Sequence, residues 1–65
     1  MPRYPDVKVQ LSGEDGNAFA IIGRISQELR RAGYREAAKE WQGEAVQADS
    51  YDALLRKDMS WVEVH

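Results

Sequence analysis

The sequence predicts a small α+β domain in which one strand, three helices and a second strand follow in that order. Apolar and polar residues alternate with period two near both ends, whereas between them apolar residues recur every three or four positions. A chain of 65 residues has room for one domain. We therefore expect a single domain over residues 1–65, with a two-stranded sheet packed on the helices and with residues 1–6 as a flexible N-terminal tail.

The first strand is predicted over residues 7–11, where three apolar residues alternate with two polar ones. Val7, Val9 and Leu11 should face inward, because β-branched and other apolar side chains suit one face of a half-buried strand. The glycine-rich segment 12–16 should end the strand in a turn, since glycine adopts the positive φ that other residues resist.

The first helix is predicted between Asn17, which suits an N-cap, and Gly33, which suits the C′ position after the last turn. Its apolar residues follow steps of four, three, four and three, as on one face of an amphipathic helix. They are Ala18, Ile22, Ile25, Leu29 and Ala32, with Ile21 beside them. Gly23 inside this helix costs about 1 kcal/mol relative to alanine, so we expect another backbone to approach it closely.

Two more helices are predicted, over about residues 35–47 and from about Asp49 onwards. The second helix has Trp41 as its main apolar anchor among small residues, which let a neighbouring helix lie close. Its apolar face comprises Tyr34, Ala38, Trp41, Ala45 and Ala48. The third helix should begin at a polar cap followed by an acid in its first turn. Its buried side is predicted to comprise Tyr51, Leu54, Leu55 and Met59.

The second strand is predicted over residues 61–64, where Val62 and Val64 should line the core. If consecutive elements simply reverse direction, the two strands run parallel, but the sequence leaves antiparallel pairing open. With both valines inward, Trp61 points outward, and an exposed tryptophan is a typical anchor of a protein interface. In the other interpretation Trp61 turns round the helix edge into the core. The candidate protein-interface residues on the outer sheet face are Trp61, Glu63, Lys8 and Gln10.

The charges are distributed unevenly along the chain. Residues 1–39 carry a formal charge of +2 and residues 40–65 carry −4, which together give the net charge of −2. Such opposed charges favour binding to another protein or to a second copy rather than to a polyanion. The alternative is a nucleic-acid interface on a basic strip along the first two helices, comprising Arg24, Arg30, Arg31, Arg35 and Lys39. Ion pairs such as Arg24 with Glu28 would instead make the strip a solvated helix face.

The sequence offers few residues for catalysis or for metal binding. Zinc sites need cysteine or histidine ligands, and the chain has no cysteine and a single histidine, His65. Glu14 and Asp15 in the glycine-rich segment supply too few oxygens for calcium and would repel a phosphate. The serines have no base at a meaningful spacing. We therefore expect no catalytic, cofactor-binding or metal-binding residues, and we interpret residues 13–17 as a turn and a helix cap.

The chain contains no apolar stretch that approaches the roughly 20 residues needed to span a bilayer. Its first six residues include two prolines and two charges, unlike the apolar core of a secretion signal. We therefore expect a cytoplasmic protein that does not bind membranes.

Three segments carry a resemblance to known proteins. They are GEDGNAFAIIGR at residues 13–24, YDALL at residues 51–55 and MSWVEV at residues 59–64. Through them the chain resembles a family of short uncharacterised proteins encoded by bacteriophages, plasmids and other bacterial mobile elements. The family has no established activity, so the resemblance implies no functional residues. It does imply a small accessory protein that binds host or phage machinery.

Together these observations favour a small non-enzymatic protein-binding module, a mobile-element accessory protein that engages host or phage machinery. The alternative is a nucleic-acid-binding accessory protein that uses the basic strip. A homodimer is also expected, because so small a core has no disulfide or metal support and a two-stranded sheet has open edges. Its two-fold arrangement would bring the oppositely charged halves together, with room for Trp61 in the buried centre. The competing expectation is a monomer, in which three capped helices close the core unaided and Lys8 and Glu63 guard the edge of the sheet.

If residues 13–17 form only a turn and a cap, millimolar calcium or magnesium should leave the melting temperature unchanged, because a ligand that binds only the native state must raise it. Thermal denaturation followed by circular dichroism, with and without each cation, measures this. A clear upward shift relative to sodium chloride of equal ionic strength would contradict the predicted turn.

Overall fold

The chain runs from a strand through three helices to a second strand, which confirms the predicted α+β fold. The computed structural model describes residues 1–11 and 18–65. The strands are β1 (Tyr4–Val9) and β2 (Val62–Val64), and the helices are α1 (Ala18–Arg31), α2 (Arg35–Ala45) and α3 (Tyr51–Trp61). The predicted turn and cap over residues 13–17 lie outside the described residues.

β1 and β2 form a two-stranded parallel sheet, the direction expected when each element reverses the one before it. The aligned pairs are Tyr4 with Val62, Lys8 with Glu63 and Val9 with Val64. His65 continues the ladder, since its N–H donates to the Val9 carbonyl at 3.0 Å. Val9 and Val62 are buried. Lys8 and Glu63 are exposed, so the predicted inner and outer faces of the sheet are confirmed.

β1 begins at Tyr4, three residues earlier than predicted. The prediction of a flexible tail over residues 1–6 is therefore wrong for residues 4–6, which belong to the strand. The Tyr4 ring packs against the rings of Tyr34 and Trp61, with centroids 4.7 Å and 5.9 Å away. Pro5 lies where the register of the two strands shifts between Tyr4 and Lys8, and it is tolerated because a two-stranded sheet consists of edge strands, where a missing N–H can face solvent. Aromatic packing therefore holds the start of the chain on the domain.

α1 ends in a tight turn at Gly33, as predicted. Gly33 has a φ of 95°, which glycine adopts without the strain that other residues meet. The Gly33 N–H donates to the Arg30 carbonyl at 3.0 Å. The Tyr34 N–H donates to the Leu29 carbonyl at 2.9 Å. These two bonds form a Schellman motif, which satisfies carbonyl groups at the end of the helix and turns the chain into α2.

Gly23 does not mark a close contact between backbones, so that expectation is wrong. The residue is exposed on α1, and among the described residues no atom outside its own stretch of helix lies within 4 Å of a Cβ placed on it. α1 instead meets the core through its buried residues Ile21, Ile25, Ser26 and Leu29. Within the described residues, Gly23 therefore lowers the helix propensity of α1 without any packing benefit.

Trp41 lies at the centre of the core, where it is fully buried, in agreement with its predicted role. Its indole Nε1–H donates to the Ile22 carbonyl of α1 at 3.0 Å. The other buried residues of α2 are Ala37, Ala38 and Ala45. Because these side chains are small, α1 and α2 lie close together around the indole.

Trp61 is the last residue of α3 rather than the first residue of β2, and it is 1% exposed. The alternation of β2 therefore does not extend back to it, and the interpretation of Trp61 as an exposed interface anchor is wrong. Its indole packs edge-on against that of Trp41, with 5.7 Å between the ring centroids. The Arg3 guanidinium lies over the Trp61 ring, 4.3 Å from the centroid. This cation and the neighbouring rings cover the indole.

α3 buries a different face from the predicted one. Its buried residues are Leu54, Asp58 and Trp61. Leu55 is half-buried, whereas Tyr51 and Met59 are 42% and 58% exposed, so their predicted burial is wrong. The observed steps of four and three are those of one helix face. The apolar pattern misplaces this face because an aspartate, Asp58, occupies its middle position.

Gly23→Ala should raise the free energy of unfolding by about 0.5–1 kcal/mol, because alanine has the higher helix propensity and its methyl group has space. Gly33→Ala is the matched control at a position of positive φ, where we expect the free energy of unfolding to fall by roughly 1–2 kcal/mol. Urea denaturation of both variants and the wild type measures the two changes. Destabilisation by Gly23→Ala would show that a neighbour does pack against this face of α1.

Candidate functional site

The outer face of the sheet carries three of the four predicted interface residues. Lys8, Gln10 and Glu63 are exposed, and Lys8 lies opposite Glu63 in the register of the strands. Trp61, the predicted anchor, lies in the core instead. Most interfaces draw their binding energy from a few large, buried anchors, and the described part of this face lacks the tryptophan that was predicted as its anchor.

An apolar groove lies between the start of α1 and the connection from α2 to α3. Its volume is about 340 Å³. Its lining includes Phe19, Ile22, Ala45, Val46, Tyr51 and Leu54. Phe19, Val46 and Tyr51 are 80%, 64% and 42% exposed. Exposed apolar surface of this kind, when it is contiguous and has a polar rim, marks binding sites for proteins or small ligands.

Helix ends build the apolar groove. Phe19 is the second residue of α1 and lies outside the buried face of that helix. Val46 caps the C-terminus of α2, and its N–H donates to the Gln42 carbonyl at 3.2 Å. Ser50 caps α3 as predicted for this segment, since its Oγ accepts from the Ala53 N–H at 3.1 Å. The two caps hold the short connection between α2 and α3 in one conformation beside the start of α1.

Neither Phe19 nor Val46 is among the functional residues that the sequence predicted. Both residues lie off the apolar stripes that mark the buried faces of α1 and α2, so neither contributed to the predicted core. A large apolar residue on the polar side of an amphipathic helix is the signal that identifies such positions. Two of them lie near one interhelical connection, where they contribute to the lining of the same groove.

The segment that forms the α2 and α3 side of the apolar groove is rich in acidic residues. Residues 40–55 contain four acidic residues and no lysine or arginine, and one of the four, Glu44, lies within ion-pair distance of Arg3 and Lys57. Asp49 and Asp52 are exposed, and they are adjacent in sequence to Ser50 and Tyr51, which line the groove. A ligand that carries positive charge beside its apolar groups therefore complements this surface.

The structure divides the predicted strip of basic residues. Arg30, Arg35 and Lys39 line a second groove of about 350 Å³ between α1 and α2, which we call the basic groove. Arg31 lies on another side of α1, where its Nη1 donates to the Glu28 carboxylate at 3.5 Å. Three of the five residues predicted for the alternative nucleic-acid interface therefore line one groove.

Ser26 forms the floor of the basic groove and links its two walls. The side chain is fully buried, and its Oγ accepts from Arg30 Nη2 at 3.1 Å and from Gln42 Nε2 at 2.8 Å. In the part of the chain that the structure describes, no carboxylate lies within ion-pair distance of Arg30, Arg35 or Lys39. The positive charge of the groove is therefore not neutralised by these residues.

Asp58 is an aspartate in the core, where its side chain is 0% exposed. Neither carboxylate oxygen has a hydrogen-bond partner among the described residues. Burial disfavours the charged form and raises the pKa of Asp58 from 3.8 to about 7. A carboxyl group with such a pKa suits proton transfer at neutral pH, but full burial keeps any substrate away from it. We therefore assign Asp58 an effect on stability and no catalytic role.

Residues 1–11 and 18–65 contain neither a cluster of metal-binding side chains nor a membrane-spanning helix. No three histidine, aspartate or glutamate side chains gather there as metal ligands. No helix in these ranges combines the length and the apolar character needed to cross a bilayer.

Comparison of the sequence with protein-family models gives no match, and comparisons with curated proteins and with solved structures give none either.

Because the carboxyl group of Asp58 is buried, we expect the free energy of unfolding to fall as the pH rises from about 4 to about 7. Below its ordinary pKa of 3.8, Asp58 is neutral in the folded and unfolded states. Between that pH and its folded pKa of about 7, the unfolded chain loses the proton while the folded chain keeps it. The free energy of unfolding should fall over this range by as much as about 4 kcal/mol from this residue.

Asp58→Asn removes the ionisation and should leave the variant more stable than the wild type at pH 7.5, with a smaller difference at pH 4. Asp49→Asn makes the same substitution at an exposed position and serves as the control. Urea denaturation from pH 4 to pH 8 gives the three profiles. Parallel profiles for Asp58→Asn and the wild type would show that Asp58 is solvated or paired in solution.

Proposed function

We propose that this protein is a non-enzymatic binding module that holds a basic amphipathic segment of another protein in the apolar groove. The observation that carries the proposal is the position of the exposed apolar residues. Five large apolar residues of the described chain are exposed, and three of them, Phe19, Val46 and Tyr51, line this one groove. Single exposed apolar residues are ordinary, whereas a cluster of them indicates a surface that is covered in a complex.

The chemistry of the groove suits an anchor residue of a partner. Aromatic side chains are enriched in the centres of interfaces, where they bury a large area at little cost in conformational entropy. Phe19 and Tyr51 supply two exposed rings to the lining of the groove, which also includes the buried Leu54 and the half-buried Ile22. An apolar side chain inserted into the groove loses contact with water on several sides, which is the condition for a strong contribution to binding.

The charge around the groove selects the occupant. The exposed carboxylates of Asp49 and Asp52 stand beside the lining residues, and no lysine or arginine occurs in residues 40–55. A segment with lysine or arginine beside its apolar residues is therefore attracted to this surface, whereas an acidic segment of the same shape is repelled. An amphipathic helix laid into a groove is a common form of such recognition.

The resemblance to short proteins of bacterial mobile elements supports a choice of partner class. Two groove residues, Phe19 and Tyr51, lie within the segments that carry the resemblance. We therefore propose that the chain is an accessory protein of a mobile element and that the partner is a component of host or phage machinery in the cytoplasm. The binding surface is the apolar groove and not the outer face of the sheet.

The apolar groove should bind a synthetic helical peptide of leucine and lysine more tightly than a matched peptide of leucine and glutamate. Fluorescence anisotropy of the labelled peptides at physiological salt measures both affinities. Phe19→Ala and Val46→Ser should each weaken binding of the basic peptide about tenfold or more, as expected for anchor residues of an interface. Met59→Ala is the control, because Met59 is exposed on α3 but does not line the groove.

Equal affinity for the two peptides, or equal losses in Phe19→Ala and Met59→Ala, would contradict the proposal. Sedimentation of the wild type at tens of micromolar provides a further check on the occupant. A dimer that dissociates in Phe19→Ala would show that the groove holds a second copy instead of a basic segment. Circular dichroism of each variant confirms that a loss of binding does not reflect a loss of fold.

A further inference from the structure

We infer that the basic groove between α1 and α2 is a binding site for a single phosphoryl group. This site is independent of the proposed function, because the basic groove and the apolar groove have no lining residue in common. Its basis is the convergence of Arg30, Arg35 and Lys39 on one groove of about 350 Å³.

The groove concentrates positive charge. Its lining contains no acidic residue, and within the described residues none of the three cations has a carboxylate at ion-pair distance. Arg35 is also the first residue of α2, so the positive end of that helix's dipole lies at this end of the groove. Surface cations are commonly paired with nearby acids, and three unpaired ones around a concave surface attract an anion.

Part of the groove is already held in position for a ligand. The buried Ser26 hydroxyl accepts one hydrogen bond from Arg30 and one from Gln42. A guanidinium carries five N–H donors and an amide nitrogen carries two, so both side chains keep further donors for a ligand while Ser26 fixes their orientation. Binding to groups that are oriented in advance requires less loss of conformational freedom.

The donor set fits a phosphoryl group better than a carboxylate. A phosphate monoester has three oxygens that accept hydrogen bonds and carries a charge near −2 at neutral pH. The planar fork of arginine matches two of these oxygens at once, and lysine adds a compact point charge. A carboxylate has one charge and two oxygens, so it leaves part of the donor set of the groove unused.

The surroundings favour one phosphoryl group over a polynucleotide. A single strand of nucleic acid is held by a continuous basic track with aromatic rings on which bases stack. No aromatic residue lines the basic groove. Glu36 and Glu40 are exposed on the same helix as Arg35 and Lys39, and Arg31 is paired with Glu28. The positive surface therefore ends close to the groove.

Titration with inorganic phosphate, followed by ¹⁵N NMR at constant ionic strength, tests the inference. We expect saturable shifts in the signals of Arg30, Arg35, Lys39 and Gln42, with a dissociation constant in the millimolar range. Arg35→Gln and Lys39→Gln should each weaken binding about tenfold. Both positions are exposed, so the fold should be kept, and circular dichroism checks it. Arg56→Gln, on the exposed side of α3, is the matched control and should bind like the wild type.

Titration with a phosphopeptide identifies the source of the phosphoryl group. A phosphoserine peptide that shifts the same signals, while its unphosphorylated form does not, supports a phosphorylated partner. Equal shifts with chloride or acetate, shifts that never saturate, or equal losses in Arg56→Gln and Arg35→Gln would overturn the site. Tight binding of single-stranded DNA with a slope of log affinity against log salt steeper than about −2 would overturn it in favour of a polynucleotide track.

Discussion

The contact between Trp41 and Trp61 is the interaction on which the rest of the structure depends. Trp41 lies in the middle of α2 and donates to a carbonyl of α1, whereas Trp61 joins the end of α3 to β2. Their indoles meet edge-on, a favourable arrangement of two aromatic rings. Tyr4 and Arg3 then cover Trp61 from the side of β1. All three helices and both strands are therefore tied to two side chains, and a domain of 65 residues acquires one core.

The same contact determines which surfaces remain for binding. Because Trp61 is used in the core, the described outer face of the sheet retains polar residues such as Lys8 and Glu63 and no large anchor. Three of the exposed large apolar residues gather instead where α1 begins and α2 ends. Three cations without an ion-pair partner among the described residues gather between α1 and α2. Asp58, one turn before Trp61, is expected to weaken the core at neutral pH because its carboxyl group is buried without a hydrogen-bond partner among the described residues. The domain thus combines a core of limited stability with two chemically distinct grooves.

The sequence predicted the order of the elements, the inner face of the sheet, the role of Trp41 and the turn at Gly33, because each depends on local periodicity or backbone conformation. It could not place Trp61, since two alternating valines do not show where a helix ends and a strand begins. The face of α3 was misplaced because burial of Asp58 runs against the usual exposure of charged residues. The two grooves depend on how helices from distant parts of the chain lie against each other, and periodicity along one helix carries no information about that arrangement.

The most direct test of the proposed binding surface is a cross-saturation NMR measurement on the complex with the basic amphipathic peptide. Saturation of the peptide protons should reduce the signals of Phe19, Val46 and Tyr51, which line the apolar groove, and should leave Lys8 and Glu63 on the outer face of the sheet unaffected. Loss of signal at Lys8 and Glu63 with no change at Phe19 and Val46 would contradict the assignment of the apolar groove as the binding surface. It would show that the peptide contacts the outer face of the sheet instead.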